Sequence, residues 1–168
     1  LLAVPLPALA TWSVIAVDKS TGRVAIASAT CVDSDDDNFL KGVQAAVVPG
    51  VGVAACQAAV DRTHKNQMFI FEQMKKGADP KAILEQLALT EPDYQTRQFG
   101  IVDLKGRSAG HSGIQSSFVT QDMQGQVPGT EIYYSIQGNI LRPGELVPNA
   151  VQAFIRANGA LTDRVMAA

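Results

Sequence analysis

The sequence is poor in the residues that nucleic-acid, metal and membrane functions need in quantity. It has 2 cysteines and 2 histidines in 168 residues, and its aromatic share is 6%. Lysine and arginine number 14 against 16 acidic residues and form no basic run, so nothing in the charge pattern favours nucleic acid or an anionic membrane surface. Apolar runs fall well short of the roughly 20 residues of a membrane-spanning helix. We therefore expect no nucleic-acid partner and no membrane insertion.

Metal-ligand patterns are also missing. His64 and His111 lie far apart in the sequence, without a Cys or His at zinc-ligand spacing. Acidic residues alternate over 33–37 as in a calcium loop, but Asn38 and Gln44 stand where an EF-hand needs glycine and glutamate. A solvated acidic loop is the better interpretation, and we expect no metal and no cofactor.

The composition is that of an ordinary globular chain. Hydrophobic residues make up 46% and charged residues 18%, which is enough to bury a core without cross-links. No repeat, low-complexity linker or shift in composition divides the chain. We expect one domain over 11–168, preceded by a short separate segment over 1–10.

That first segment is apolar and ends in Ala8-Leu9-Ala10. Small residues at the first and third of these positions are what signal peptidase requires, so the segment resembles the end of a signal peptide. On this interpretation the mature chain begins at Thr11 and the protein is periplasmic or secreted. Two alternatives are a propeptide held in the site until autocleavage and an N-terminal arm packed on the domain.

The cysteines, Cys31 and Cys56, each come late in a strand-like run. An even pair in an exported protein is more often bridged than free, and a disulfide would form if the two strands were neighbours. The alternative is a pair of free thiols that pack as small hydrophobic residues. We favour the disulfide.

The pattern of apolar residues and turn residues predicts strands, then two helices, then further strands and a closing helix. The predicted strands are 12–17, 23–29, 43–48, 51–59, 97–103, 107–113 and 131–138. The predicted helices are 63–76, a second one with Asp79 as N-cap and Pro80 in its first turn, and 148–166. Hairpin-length connections predict antiparallel sheets, and we expect an α+β fold in four layers, an αββα sandwich.

Thr11 is the first candidate for chemistry. An N-terminal threonine carries a hydroxyl nucleophile and its own α-amine as base, with a pKa of about 7.7–8.0 that allows proton transfer near neutral pH. The hairpin register brings Ser28 and Thr30 to the same end of the first two strands. Taken alone, each is more simply explained as an ordinary strand residue.

A second candidate is the segment Ser-Ile-Gln-Gly-Asn at 135–139. Gly138 permits close approach of the backbone, and the side chains of Gln137 and Asn139 offer amide groups that can donate to developing charge. A turn after a strand explains Gly-Asn equally well.

Five segments taken together resemble one bacterial family, the domain of unknown function 1028. They are TWSVIAVD, GVGVAACQA, RQFGIVD, GHSG and YSIQGNIL, which keep their order from Thr11 to about Ala153. The resemblance implies a fold like that of the N-terminal nucleophile hydrolases, which cleave amide bonds, with Thr11 as nucleophile and base. The matching motif positions are Ser28, Gln57, Arg97, Gln98, Gln137 and Asn139.

The chain departs from the family pattern at several points. Ala29 replaces a common arginine, and Cys56 replaces a threonine. Residues 61–65 replace the usual Asn-Pro-x-Tyr-Gly, which bears on substrate preference. Asp61 and His111 are further candidates for the pocket, although a surface pair with Arg62 explains Asp61 and a simple hydrogen bond explains His111.

These observations lead to two functional hypotheses. The first is an exported amidase or peptidase that acts through Thr11, Ser28 and Asn139. Its substrate would be a small amide or peptide, with cell-wall fragments among the candidates because some family members carry a peptidoglycan-binding appendage. The second is a ligand-binding or assembly protein that uses the same fold without catalysis. In either case we expect a homo-oligomer.

Overall fold

The computed structural model describes residues 10–31 and 43–168. The described part contains eight strands and four α-helices, with a short 3₁₀ helix before the fifth strand. The strands are β1 (Thr11–Asp18), β2 (Arg23–Thr30), β3 (Val43–Val48), β4 (Gly52–Ala58), β5 (Arg97–Asp103), β6 (Ser108–Ser112), β7 (Gln121–Gln126) and β8 (Ile132–Asn139). The helices are α1 (Lys65–Lys75), α2 (Pro80–Thr90), α3 (Leu146–Arg156) and α4 (Leu161–Ala167). The predicted leader up to Leu9 and the acidic loop over 33–38 lie outside the described residues.

The strands form two four-stranded sheets. The first has the order β2-β1-β8-β7 and the second β3-β4-β5-β6. All neighbouring strands are antiparallel. This confirms the predicted α+β class and the antiparallel sheets, which followed from the short connections between strands.

Three apolar clusters hold these elements together. In the first, Val14 and Ile136 of the first sheet pack against Phe154 and other residues of α3 and α4. The second joins β4 and β5 of the second sheet to Ile70, Ile83 and their neighbours in α1 and α2. The third lies between the two sheets. Successive residues of a strand therefore face a helix pair and the opposite sheet in turn.

The predicted start of α2 is confirmed. Asp79 is the N-cap, and its Oδ1 accepts a hydrogen bond from the Lys81 backbone nitrogen at 2.9 Å, while Pro80 opens the helix. None of the described helices is long and apolar enough to cross a bilayer.

Two elements differ from the prediction. The single closing helix over 148–166 is wrong, because the chain leaves the helix at Ala157 and resumes at Leu161, with Gly159 at φ 105° between α3 and α4. Strand β7 was not predicted. Its sequence QDMQGQ lacks apolar alternation, because several of its side chains face the polar interior between the sheets.

The disulfide prediction is also wrong, since Cys31 and Cys56 are both free. Cys31 follows β2 of the first sheet and is exposed, whereas Cys56 lies in β4 of the second sheet. Cys56 points into the apolar cluster under α1 and α2, away from the first sheet.

Candidate functional site

Thr11 is the first residue of β1, a central strand with β2 on one side and β8 on the other. It is directly opposite Thr30 of β2 and Asn139 of β8. The Oγ1 atoms of Thr11 and Thr30 are 2.8 Å apart, and Thr11 is 3% exposed. The hydroxyl that the sequence singles out is thus nearly buried and already paired.

The backbone nitrogen of Thr11 points towards β8. The Cys31 nitrogen donates to the Ala10 carbonyl at 2.9 Å, so the next pair, Thr11 and Thr30, is a pair without backbone hydrogen bonds between its members. In an antiparallel sheet the amide of Thr11 then faces the other neighbour, where its partner is Asn139. This nitrogen belongs to the Ala10–Thr11 peptide bond.

Next to Thr11, a group of polar side chains lies between the two sheets, alongside the third apolar cluster. We call this group the inter-sheet polar cluster, and each of its members is at most 1% exposed. They are Ser13, Gln57, Gln98, Gln137 and Asn139. Buried amides and hydroxyls are costly unless they are hydrogen-bonded, so the contacts among them decide whether the arrangement is stable.

Gln57 connects the two sheets beside Thr11. Its Oε1 accepts from Ser13 Oγ at 2.5 Å, and its Nε2 donates to Gln98 Oε1 at 2.7 Å. The same nitrogen lies 3.4 Å from the carbonyl oxygen of Thr11. Ser13 Oγ is also 2.9 Å from Ser28 Oγ, which continues the chain to β2.

Gln98 is the centre of the cluster. Its Nε2 donates to Ser112 Oγ at 2.7 Å and to the Gly138 carbonyl at 2.9 Å. Its Oε1 accepts from Asn139 Nδ2 at 3.2 Å. Ser112 Oγ in turn donates to Asp122 Oδ2 at 2.6 Å, so the chain reaches β7.

Gln137 is less well satisfied. Its Nε2 donates to the Ala55 carbonyl at 3.2 Å, while its Oε1 is buried without a hydrogen-bond partner. The neighbouring Gly138 contributes only its backbone to the cluster, because a side chain at this position would point towards Trp12 and Leu141.

The structure therefore brings together most of the residues predicted for the site. Thr11, Ser28 and Thr30 lie with four members of the cluster, namely Gln57, Gln98, Gln137 and Asn139. Sequence reasoning missed three contributors, which are Ser13, Ser112 and Asp122. The hairpin register gave one signal, because it places Ser13 opposite Ser28.

Arg97 and Asp61 lie elsewhere. Arg97 precedes Gln98 in β5, so its side chain lies on the opposite face of the second sheet, on the side of α1 and α2. There it lines a pocket of about 440 Å³ together with Asp61, Asn66, Phe69 and Glu91. We call this the Arg97 pocket, and it is separated from Thr11 by the second sheet.

Two of the charged residues in the Arg97 pocket, Arg97 and Glu91, are paired with each other. Arg97 Nη2 lies 3.3 Å from Glu91 Oε1, and Glu91 Oε2 accepts from Asn66 Nδ2 at 2.5 Å. Burial alone would raise the pKa of Glu91, but hydrogen bonds from Asn66 and the Asp93 backbone, with the nearby charge of Arg97, lower it below its ordinary value. Asp61 accepts from the Thr63 and Asn66 backbone nitrogens.

His111 also lies on the helix-facing side of the second sheet. Its ring stacks on Tyr94 with centroids 3.7 Å apart, and its Nε2 is 3.1 Å from the Tyr94 carbonyl oxygen. Burial lowers the pKa of His111 below its ordinary value. His111 thus makes the simple hydrogen bond that the sequence offered as one alternative.

Fold and site together describe an α+β protein whose two antiparallel sheets enclose an apolar cluster and, beside it, a polar cluster that reaches a buried threonine. A family model matches residues 11–168, and the chain belongs to that family, the family of unknown function DUF1028. The match begins at Thr11 itself. A search of curated proteins found no match.

The fold is similar to that of a solved member of the same family. The crystal structure of protein SPO2555 from Silicibacter pomeroyi superposes with a TM-score of 0.75 at 20% sequence identity. The similarity covers 94% of this chain but 65% of that one, so the chain spans about two thirds of the length of SPO2555.

Proposed function

We propose that this protein is an amide-bond hydrolase of the N-terminal nucleophile type, with the αββα architecture of that class and Thr11 as its nucleophile. One observation carries the proposal. Thr11 is the first residue matched by the family model and the first residue of a central strand, and a buried chain of side-chain amides ends at its main-chain carbonyl oxygen. Buried amides are costly unless each atom finds a partner, and beside this chain Gln137 Oε1 has none, which favours a functional role for the polar group over a purely structural one.

The proposed reaction requires cleavage of the Ala10–Thr11 bond, which frees the α-amine. The Thr11 Oγ1 attacks the carbonyl carbon of the substrate while the amine takes the hydroxyl proton. The tetrahedral intermediate collapses as the amine returns that proton to the leaving nitrogen, which leaves an ester on Thr11. Water then attacks the ester, its proton passes through the same amine to Oγ1, and the acid is released.

The neighbours of Thr11 supply the remaining groups. The freed amine would face β8, where the backbone of Asn139 can orient it. Asn139 Nδ2 has a second hydrogen besides the one donated to Gln98, and it can stabilise the oxyanion together with backbone N–H groups. Thr30 Oγ1, 2.8 Å from the nucleophile, fixes the rotamer of Thr11.

We further propose that substrates are small amides or peptides, cell-wall fragments included, and that the protein acts in the periplasm or outside the cell as a homo-oligomer. These proposals rest on the family resemblance and on the residues that precede Thr11.

The decisive experiment joins intact-mass analysis to turnover. Natively exported protein should begin at Thr11, and it should hydrolyse at least one member of a panel of amides and short peptides. Thr11→Ala should abolish turnover, Thr11→Ser should retain part of it, and Thr162→Ala, an exposed threonine of α4, should behave as wild type. Full turnover with an intact Ala10–Thr11 bond would contradict the proposal.

A pH profile tests the base. kcat/KM should rise with pH as the freed amine loses its proton, with a midpoint near its ordinary pKa of about 7.7–8.0. A profile that is flat between pH 6 and pH 9 would contradict an amine base.

The burial of Thr11 favours a second candidate, a ligand-binding protein without catalysis. With 3% of Thr11 exposed and its nitrogen in a peptide bond, neither the hydroxyl nor the amine of Thr11 is available to react in the uncleaved chain. Thr11→Ala separates the two functions, because a binding protein would keep its ligand affinity.

A further inference from the structure

The donor and the acceptor of each hydrogen bond between the sheets can be assigned in sequence, starting from Asp122 at one end of the chain of bonds. A carboxylate only accepts, so Ser112 must donate its single proton to Asp122 Oδ2, 2.6 Å away. Ser112 Oγ is then left as an acceptor for Gln98. This identifies the Gln98 atom at 2.7 Å as Nε2, the donor.

The backbone fixes Gln98 in the same orientation. Its Nε2 also faces the carbonyl oxygens of Gly138 and Gln121, at 2.9 Å and 3.1 Å, and a carbonyl can only accept. Gln98 Oε1 therefore points the other way and accepts from two side-chain nitrogens. These belong to Gln57, at 2.7 Å, and Asn139, at 3.2 Å.

The orientation of Gln57 determines that of Ser13. With Gln57 Nε2 directed at Gln98 and at the Thr11 carbonyl, Gln57 Oε1 faces Ser13 Oγ at 2.5 Å. An amide oxygen only accepts, so Ser13 must donate its one proton there. The contact of 2.9 Å between Ser13 and Ser28 then has only one possible donor, which is Ser28.

From this direction we propose that Ser13 is a positioning residue for the Thr11 nucleophile, an inference that rests on the function proposed above. Ser13 holds the amide of Gln57 against the main chain of Thr11. Ser13 also accepts the hydroxyl proton of Ser28. The Ser28 oxygen can then act only as an acceptor at the end of the strands where Thr11 lies. Ser13 is 0% exposed and thus acts through Gln57 and Ser28, not on the substrate itself.

The test begins with the full, uncleaved chain and needs no substrate. The side-chain amide resonances of Gln57 are followed by NMR in wild type, Ser13→Ala, Ser13→Thr and Ser20→Ala. Ser20 is the matched control, because it is an exposed serine of the same hairpin whose hydroxyl also donates one bond, to Asp18 at 2.6 Å. Ser13→Ala should shift the Gln57 resonances and speed their hydrogen exchange, while Ser13→Thr should restore them and Ser20→Ala should leave them unchanged.

Ser28→Ala provides a second comparison within the chain of hydrogen bonds. Because Ser28 only donates to Ser13, its loss leaves the bond from Ser13 to Gln57 in place. The Gln57 resonances should therefore stay near their wild-type positions in Ser28→Ala. This comparison remains informative if Ser13→Ala proves too unstable to study.

The processed enzyme gives the functional result. Ser13→Ala should lower kcat by about 10–100-fold with little change in KM, since a displaced nucleophile loses rate and not substrate binding. Ser13→Thr should recover most of that rate.

The outcomes separate the inference from the proposed function. Unchanged Gln57 resonances in Ser13→Ala, or a wild-type kcat, would overturn the inference while Thr11-dependent hydrolysis stands. Processed wild-type protein with no Thr11-dependent turnover would overturn both.

Discussion

The side-chain amide of Gln137 occupies the space that a side chain on Gly100 would fill. A Cβ built on Gly100 overlaps Gln137 Oε1 and comes within 2.7 Å of Ser135 Oγ. Gly100 lies in β5 and Gln137 in β8, so this contact joins the two sheets at their polar centre. The sheets can approach this closely only because residue 100 has no side chain.

Gly100→Ala should therefore destabilise the protein by about 1–3 kcal/mol through overpacking. The free energy of unfolding in urea measures the effect. The double variant Gly100→Ala with Gln137→Ala removes the colliding amide and should recover part of the loss. If the two substitutions are simply additive, the steric explanation is wrong.

Of the two acidic partners of Arg97, Glu91 should contribute more than Asp93 to the free energy of unfolding. The side chains of Arg97 and Glu91 are each 10% exposed, whereas that of Asp93 is 68% exposed. Glu91→Ala leaves a buried guanidinium partly unpaired and should cost about 2–4 kcal/mol. Asp93→Ala, which removes a screened surface partner of the same arginine, should cost less than about 1 kcal/mol. Equal losses in urea unfolding would contradict this assignment.

The two cysteines should differ in reactivity. Burial, with a smaller contribution from the nearby Asp61 carboxylate, raises the pKa of the Cys56 thiol to about 12. The thiolate is the reactive form, so iodoacetamide at pH 7.5 should label only the exposed Cys31 in the native protein and both cysteines after unfolding. A mass that stays unchanged in denaturant without reductant would instead reveal a disulfide.

The same thiol should make stability fall at alkaline pH. The folded state keeps the Cys56 proton up to about pH 12, whereas the unfolded thiol loses it near its ordinary pKa of 9.0. Since the unfolded state binds fewer protons in this range, the free energy of unfolding should fall as the pH rises above about 9. Cys56→Ala should remove this part of the pH dependence when the two proteins are unfolded in urea at pH 8 and pH 10.

His111 should contribute to destabilisation in acid. Burial lowers the pKa of His111 in the folded state. When the pH falls below the ordinary histidine pKa of about 6.5, the unfolded state therefore binds more protons than the folded state. Stability should fall as the pH drops from 7.5 to 5. His111→Phe, which keeps a ring next to Tyr94, should lose less stability over that range. An equal loss in both proteins would assign the acid sensitivity to other groups.

Much of the fold could be predicted because its elements carry local signals. Asp79 and Pro80 mark the start of α2, and the turn residues at 18–22 define the first hairpin and so the register of Thr11 with Thr30. β7 was missed because its polar residues face a polar interior, where the usual apolar alternation does not apply. The break between α3 and α4 was missed because its sequence signal is a single glycine, Gly159, and a single glycine is also tolerated inside a helix.

The site was harder to predict, for a related reason. Ser13 and Gln57 have the residue types of an outward strand face, and only the packing of the opposite sheet makes that face an interior. The predicted strand over 97–103 puts Arg97 and Gln98 on opposite faces, but the sequence does not tell which of the two faces meets the other sheet. Resemblance to the family pointed to Gln57, Gln98 and Asn139, but their shared hydrogen bonds became visible only in the fold.

The position of β1 between two other strands has a consequence for order at the nucleophile. The first residue of a polypeptide is ordinarily its loosest, because nothing restrains it on one side. If cleavage makes Thr11 that first residue, the strand behind it remains bonded to a partner along each edge, so the new terminus cannot fray without opening the sheet. A reactive terminus held in this way loses little conformational entropy when the substrate binds, because folding has already ordered it.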